Sequence, residues 1–503
     1  MDLMNAVGVL LTPYCLAMMV VGGLVGLILG AIPGLSGAMA ITIILPLTFA
    51  MDSNVAIAML ISIWVGSCSG GFIGSILLGI PGTPSSLATC YDGYAMTKKG
   101  QVTRALSAGT VANFAGTVPS ILIAMAACPV ISSVAVKMGP WEYFALGLLA
   151  ITLVVSLSRG KMLKGFIGAA IGLLSTQIGY APISSTPRFT FGSYYLSGGF
   201  NMVCVLTGLF AGCMIMHDYA KGETGISGTF QGNIGRFHFP LKDMKDNMVN
   251  GVRSFLIGLG IGFLPGMGAA LSNVVAYSVA KNSSKHPEEF GEGCVDGIIA
   301  PEVANNASVG GAIIPMIALG IPGDGTTALL LGGLTIHGIE AGPLMQKNYP
   351  VFVYMIFMAA VFAAVIALVV EILGIRAFPM LLKAPYHYLY PAILVLSLTG
   401  VYTNSGNIFS VFMAMAFTAL GLWMGYAGIP ATPFILSYVL GGTLETNFRK
   451  AISFARGDVF MFFKRPVSCI LLLIVVFSVL RPYIQPLFQK KEVFKRGKND
   501  SRK

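Results

Sequence analysis

Polar positions are scarce along this chain and gather in clumps, and between the clumps run apolar stretches in which glycine often recurs every fourth residue. Such stretches cover 16–30, 55–80, 105–127, 143–157, 166–180 and 200–216, then 255–264, 298–321, 351–372, 389–399, 408–426 and 467–480. A helix needs about 20 apolar residues to cross a hydrocarbon core. The longer runs therefore predict transmembrane helices, and the shorter ones predict broken or re-entrant elements. Irregular backbone survives at membrane depth only where protein or a water-lined cavity surrounds it. The pattern predicts an all-α polytopic membrane protein with about 10–12 transmembrane segments.

Two of these stretches nearly repeat one another. GGLVGLILGAIPGLSGAMA from Gly22 and GLGIGFLPGMGAALS from Gly258 each carry a glycine ladder that ends in a Pro-Gly break, Pro33-Gly34 in one and Pro265-Gly266 in the other. Further on, SILLGIPGTPSS breaks at Pro81-Gly82 and PMIALGIPGDGTT at Pro322-Gly323. Aromatic-led helix pairs then open at Pro140 and Pro385. Matched prolines are offset by 232 (Pro33, Pro265), 241 (Pro81, Pro322), 245 (Pro140, Pro385) and 246 (Pro187, Pro433), drifting where one half carries an insertion such as KNSSKHPEEFGEG from Lys281. An internal duplication over most of the length follows.

Charge sets the relation between the halves. Clusters at 98–104, 159–164, 221–253 and 449–465 and the tail from Arg481 hold 24 of the 31 Lys and Arg. Counting passes between the clusters of the first half puts each on one face, as the positive-inside bias requires. The second half then begins inside, whereas the first, with no Lys or Arg before Lys98, begins outside. Homologous halves of opposite orientation are inverted repeats, a construction of many secondary transporters. The expected organisation is a first transmembrane repeat over 1–217, a cytoplasmic linker over 218–250, a second repeat over 251–485 and a basic tail over 486–503. Parity fails at the end, and an extra pass or a re-entrant segment near Gly428–Gly442 restores it, with the tail in the cytoplasm.

The chain is 55% hydrophobic and 10% charged, with a mean hydropathy of +0.80. That excludes a soluble globular protein, in which about a quarter of residues are charged. The net charge of +11 lies in loops, so it reads as membrane orientation and not as a nucleic-acid surface. Eight scattered cysteines without a C-x-x-C pair predict neither a disulfide framework nor a metal site. No charged n-region marks a cleavable signal peptide.

A proline lacks its N–H and clashes with the preceding turn, and the glycine after it opens dihedrals closed to other residues. Pro-Gly at membrane depth thus frees backbone groups that need partners. In transporters the N-termini of half-helices face anionic substrate groups, and unwound carbonyls hold the coupling cation. The breaks Pro33, Gly34, Pro81, Gly82, Pro265, Gly266, Pro322 and Gly323 are therefore candidates, together with the small residues beside them. These are Ser36, Gly37, Thr83, Ser85, Ser86, Gly268, Ser272, Thr326 and Thr327. The glycine ladders read as packing faces.

Asn305, Asn306 and Ser308 follow Glu302 in DGIIAPEVANNASVGG. Adjacent carboxamides inside a membrane read as a ligand or ion site, or alternatively as interhelical hydrogen bonds. Asp324 reads either as a cation or proton carrier or as the cap of the half-helix it precedes. CYDGYAMTKKGQVTRAL from Cys90 reads as a surface helix on the inner face. The five histidines are dispersed, and neither H-E-x-x-H nor G-x-S-x-G occurs, so no enzyme is expected.

GAIPGLSGAMAITIILPLTF, SILLGIPGTPSSLATCYDGYAMTKKGQ, RFTFG from Arg188, GFLPGMGAALS and PEVANNASVGGAIIPMIALGIPGDGTTALLLGGLTIHGIEAGPL give the chain a likeness to a known family. NFRKAISFARGDVFMFFKRPVS fits it too. Over nearly its whole length the chain resembles the large membrane subunit of the bacterial tripartite tricarboxylate transporters. The resemblance implies an inner-membrane permease that works with a small membrane subunit and a periplasmic solute-binding protein. It also implies import of citrate-like or related organic anions on a Na+ or H+ gradient, with no cofactor. A channel without ion coupling is the alternative.

Overall fold

A computed structural model describes residues 2–33, 35–156, 162–220, 234–265, 267–381 and 386–480. The described chain is almost entirely helical. In order it forms α1 (Asp2–Leu10), α2 (Pro13–Ala31), α3 (Gly37–Thr48), α4 (Ser53–Leu78), α5 (Thr89–Lys98) and α6 (Val102–Ala135). Then come α7 (Pro140–Ser156), α8 (Met162–Ser175) and α9 (202–220, with a π turn at Gly208–Gly212). The second half holds α10 (Leu241–Asp246), α11 (Met248–Phe263), α12 (Gly268–Ser283), α13 (Asp296–Leu319), α14 (Gly325–Ile336) and α15 (Pro350–Gly374). It closes with α16 (Tyr386–Ser405), α17 (Ile408–Ala427), α18 (Ala431–Phe454) and α19 (Pro466–Leu480). Five helices, α2, α4, α6, α15 and α17, are long and apolar enough to cross a membrane, and seven shorter apolar helices accompany them.

Two helices form the centre. A helix that is apolar all round belongs in an interior, and the spanning window of α4 is buried throughout. In α13 every residue from Gly297 to Ala318 is buried. Outer helices instead expose large apolar side chains, among them Leu122, Val130 and Val134 on α6 and Val249 and Leu256 on α11, as a lipid-facing surface does.

The glycine ladders are packing faces, and both halves use them identically. A Cβ on Gly26 would lie 2.2 Å from the Ile63 carbonyl oxygen, and one on Gly258 2.2 Å from that of Ala304. Gly30 meets Ser67 at 2.5 Å and Gly262 meets Ser308 at 2.4 Å. In the other direction, Gly70 meets Leu27 and Gly311 meets Leu259, each at 2.4 Å. These pairs obey the offsets of 232 for the first helix of each half and 241 for the second. Thus α2 on α4 and α11 on α13 are one packing solution built twice.

The breaks repeat as well. α2 and α11 end in extended residues, Ile32 and Leu264. α4 and α13 end on left-handed glycines, Gly79 (φ 70°) and Gly320 (φ 69°), a conformation that costs any other residue a Cβ clash. The four-residue capping box that restarts the chain is Thr83 with Ser86 in the first half and Asp324 with Thr327 in the second.

The remaining helices interlock. α8 packs on α18 and α9 on α17, with Gly172 against the Phe434 carbonyl and Gly208 against that of Ala414. The segment expected to re-enter near Gly428–Gly442 is different: Gly428 ends α17 in a left-handed cap, and α18 then runs unbroken for 24 residues. The offset between Pro187 and Pro433 has no structural counterpart. Pro187 opens a two-residue strand paired with Gly179–Tyr180, whereas Pro433 sits in the first turn of α18. The expected basic tail over 486–503 and part of the linker, 221–233, lie outside the described residues.

Candidate functional site

The four breaks meet. One cavity of about 300 Å³ is lined by Ser36 and Gly37 from the first, Thr83 and Ser85 from the second, Met267–Ala270 from the third and Asp324–Thr326 from the fourth. Trp64, Ser67 and Cys68 of α4 add a wall. The lining is therefore built from equivalent positions of the two halves.

What faces the cavity is the beginning of helices. α3, α12 and α14 all start at it, and so does the 3-10 turn Pro84–Ser86. A helix N-terminus carries unsatisfied N–H groups and about half a positive charge. Three starts are already capped: the Ser36 oxygen accepts from the Met39 N–H at 3.3 Å, Asp324 Oδ1 accepts from the Thr327 N–H at 2.8 Å, and the Thr83–Ser86 box closes the 3-10 turn. No side chain caps α12, whose first residue, Gly268, has φ 57°. Among the described lining residues Asp324 is the one charged group, and none is basic.

The sequence candidates fall into three groups. Ser36, Gly37, Thr83, Ser85, Gly268, Asp324 and Thr326 line the cavity. Gly82, Gly323, Ser86, Thr327, Ser272 and Ser308 support it from behind. Gly82 lies against the Gly30 carbonyl and Gly323 against Ala312, while Ser86 donates to the Gly71 carbonyl at 2.9 Å. Ser272 donates to the carbonyls of Ala269 and Ala304, and Ser308 to that of Asn305. Pro33, Pro81, Pro265 and Pro322 mark the breaks themselves, and Gly34 and Gly266 lie outside the described residues.

Asn305 and Asn306 form the third group, one layer behind the lining. Asn306 ties three helices: its Nδ2 donates to Asn113 Oδ1 at 2.6 Å, and its Oδ1 accepts from Thr117 at 3.0 Å and Ser69 at 3.4 Å. Of the two readings open for this residue, the geometry is that of an interhelical hydrogen bond. Asn305 Nδ2 donates to the Cys68 carbonyl at 3.2 Å, so it touches the lining from outside. Asp324 has the geometry of a cap and is also in the wall.

Three features escaped the sequence reading. Glu302 is fully buried one turn before Asn305. Asp92, placed by sequence on a surface helix, is fully buried: it accepts from the Tyr277 hydroxyl at 2.9 Å and from the N–H groups of Gly291, Gly293 and Cys294. Arg188 makes a two-pronged ion pair with Glu445 at 2.7 and 3.1 Å, tying the 179–188 hairpin to α18. No spacing rule links residues so distant; only the unexplained arginine of RFTFG offered a hint.

The tripartite tricarboxylate transporter TctA family matches residues 16–436. An uncharacterized 52.8 kDa protein from the TAR-I ttuC' 3' region of Agrobacterium vitis is 33% identical over 486 residues, covering 96% of each chain. A second Agrobacterium vitis protein, from the TAR-II ttuC' 3' region, is 34% identical over 45% of this chain and 94% of its own length. No solved structure matches.

Proposed function

The chain belongs to the tripartite tricarboxylate transporter TctA family, and from that premise we propose that it is a cation-coupled permease whose substrate passes through the cavity between the four breaks. One observation carries the reading: helix N-termini from both halves converge on a cavity that holds hydroxyls and, among the described lining residues, no basic side chain. Such a cavity suits a carboxylate, which accepts from N–H and hydroxyl donors.

The charge balance then calls for cations. A citrate-like anion brings up to three negative charges, and Asp324 adds another. Helix dipoles, worth about half a charge each, do not offset that sum in a low-dielectric interior. Co-transported Na+ or H+ does. The repeated packing of α2 on α4 and α11 on α13 supports two duplicated halves, and in this scheme the halves, inverted relative to one another, rock about the cavity to open it alternately to each side. The partners are a small membrane subunit and a periplasmic binding protein that delivers the anion at the bacterial inner membrane. Uptake of labelled citrate into proteoliposomes bearing the assembled transporter tests the scheme. Accumulation should vanish in sodium-free buffer with the proton gradient collapsed; undiminished accumulation, or flux that never saturates as in a channel, overturns it.

A further inference from the structure

Behind the cavity the core contains a polar seam that the substrate site does not use. Glu302 and Asn305 lie one turn apart on one face of α13, both fully buried. Glu302 Oε1 accepts from the Thr89 hydroxyl of α5. Its other oxygen, Oε2, has no hydrogen-bond partner, and neither has Asn305 Oδ1. The Asn305 amide is held in this orientation because its Nδ2 donates to the Cys68 carbonyl; turned over, it would set oxygen against oxygen. Two buried acceptors one turn apart on α13 thus lack a donor.

Leaving either acceptor bare costs about 1–3 kcal/mol, and more for a charged group. No ion pair among the described residues includes Glu302. The titratable groups that feel its charge are Cys68 on α4, Cys90 on α5 and Glu371 on α15. Asp92 and Tyr277 lie a turn further along α5 and α12, so the surroundings offer no positive charge. A proton on Oε2 removes the buried charge and turns an unpartnered acceptor into a donor. A metal ion would need a fuller shell, and no group of three or more His, Cys, Asp or Glu among the described residues is placed to hold one.

We propose that Glu302 is a proton-carrying site of this transporter, binding the coupling proton at its unpartnered Oε2. Polar contacts flank Glu302 on two sides. Toward the cavity, Asn305 contacts Cys68, whose other side lines it. Away from it, Asn273 Nδ2 donates to Thr89 Oγ1 at 3.4 Å. One turn on, Tyr277 and Asp92 continue the polar path to the 291–294 loop. The inference rests on the cation-coupled reading above and deepens it by naming the ion and its carrier.

Infrared difference spectra of the purified full chain in lipid, taken between alkaline and acid pH, read the carboxyl directly and require no transport. The wild type should show a protonated C=O band that Glu302→Gln removes and Glu371→Gln leaves. Thr89→Val, which deletes the donor to Oε1, should shift the band and so provides a reading should Glu302→Gln misfold. In proteoliposomes of the assembled transporter, citrate accumulation driven by a pH gradient should be lost in Glu302→Gln. A band that persists in Glu302→Gln, a band unmoved in Thr89→Val, or accumulation equal to wild type overturns the assignment while the carrier reading stands. A wild type that moves no carboxylate under any gradient overturns both.

Discussion

Alanine placed at three glycines of α11 should give opposite effects only two residues apart. At Gly258 and Gly262 the new Cβ would lie 2.2 and 2.4 Å from the carbonyl oxygens of Ala304 and Ser308, where ordinary contact begins at 3.4 Å. The obstacle is helix backbone, so no side chain can rotate away, and α11 and α13 must part by about 1 Å, a gap that forfeits a quarter to a half of each dispersion contact along the seam. Overpacking of this kind costs about 1–3 kcal/mol and sometimes more. At Gly260 nothing lies within 4 Å of the added methyl, and alanine should stabilise the helix by about 0.5–1 kcal/mol. Thermal unfolding of the detergent-solubilised chain, followed by loss of the monodisperse chromatographic peak, measures all three. Because Gly26 and Gly30 make the same contacts with α4, Gly26→Ala should match Gly258→Ala. Equal melting for Gly258→Ala and Gly260→Ala, or a harmless Gly26→Ala beside a harmful Gly258→Ala, would refute the duplicated packing.

Asn306→Leu should lower stability by about 2 kcal/mol, because it orphans the buried Asn113 oxygen, so uptake and melting temperature should fall together; a normal melting curve with lost uptake would make Asn306 a ligand. Arg188→Ala should cost about 2 kcal/mol through the lost charge-assisted pair with Glu445, which keeps Arg449 as a partner at 2.7 Å, and a double-mutant cycle with Glu445→Gln would read the coupling. Asp324→Asn keeps a capping oxygen for Thr327 and removes the charge from the cavity, so the melting temperature should hold while the cation dependence of uptake flattens; an unchanged cation dependence would confine Asp324 to capping.

The breaks were legible in the sequence because Gly-Ile-Pro-Gly acts locally: in α4 and α13 a left-handed glycine, Gly79 or Gly320, ends the helix two residues before the proline. The glycine spacing of four likewise marks a helix face that must meet backbone. The duplication is visible again in the cavity, whose lining takes equivalent positions from both halves. Other features depend on contacts that spacing does not encode. A re-entrant segment was expected near α18 because the count of passes did not close, yet α18 packs on α7 and α8 and stays helical throughout. Asp92 looked exposed amid basic residues, but Gly297 leaves it room beside α13, with its carboxyl where a Cβ would otherwise stand. The role of Asn306 depended on Asn113, 193 residues away, and no pattern in either segment links them.

The central claim is that one cavity, built by both halves, carries the substrate. Thr326 lies in its wall on the first turn of α14, and its side chain is half-buried. Tryptophan at this position would fill most of the space that a citrate-sized anion needs. The measurement is counterflow of labelled citrate in proteoliposomes bearing the assembled transporter with Thr326→Trp, set beside Thr326→Ser. The serine variant should exchange label like the wild type and the tryptophan variant should exchange none, with both equally folded and inserted. Full counterflow through a folded Thr326→Trp protein would contradict the claim.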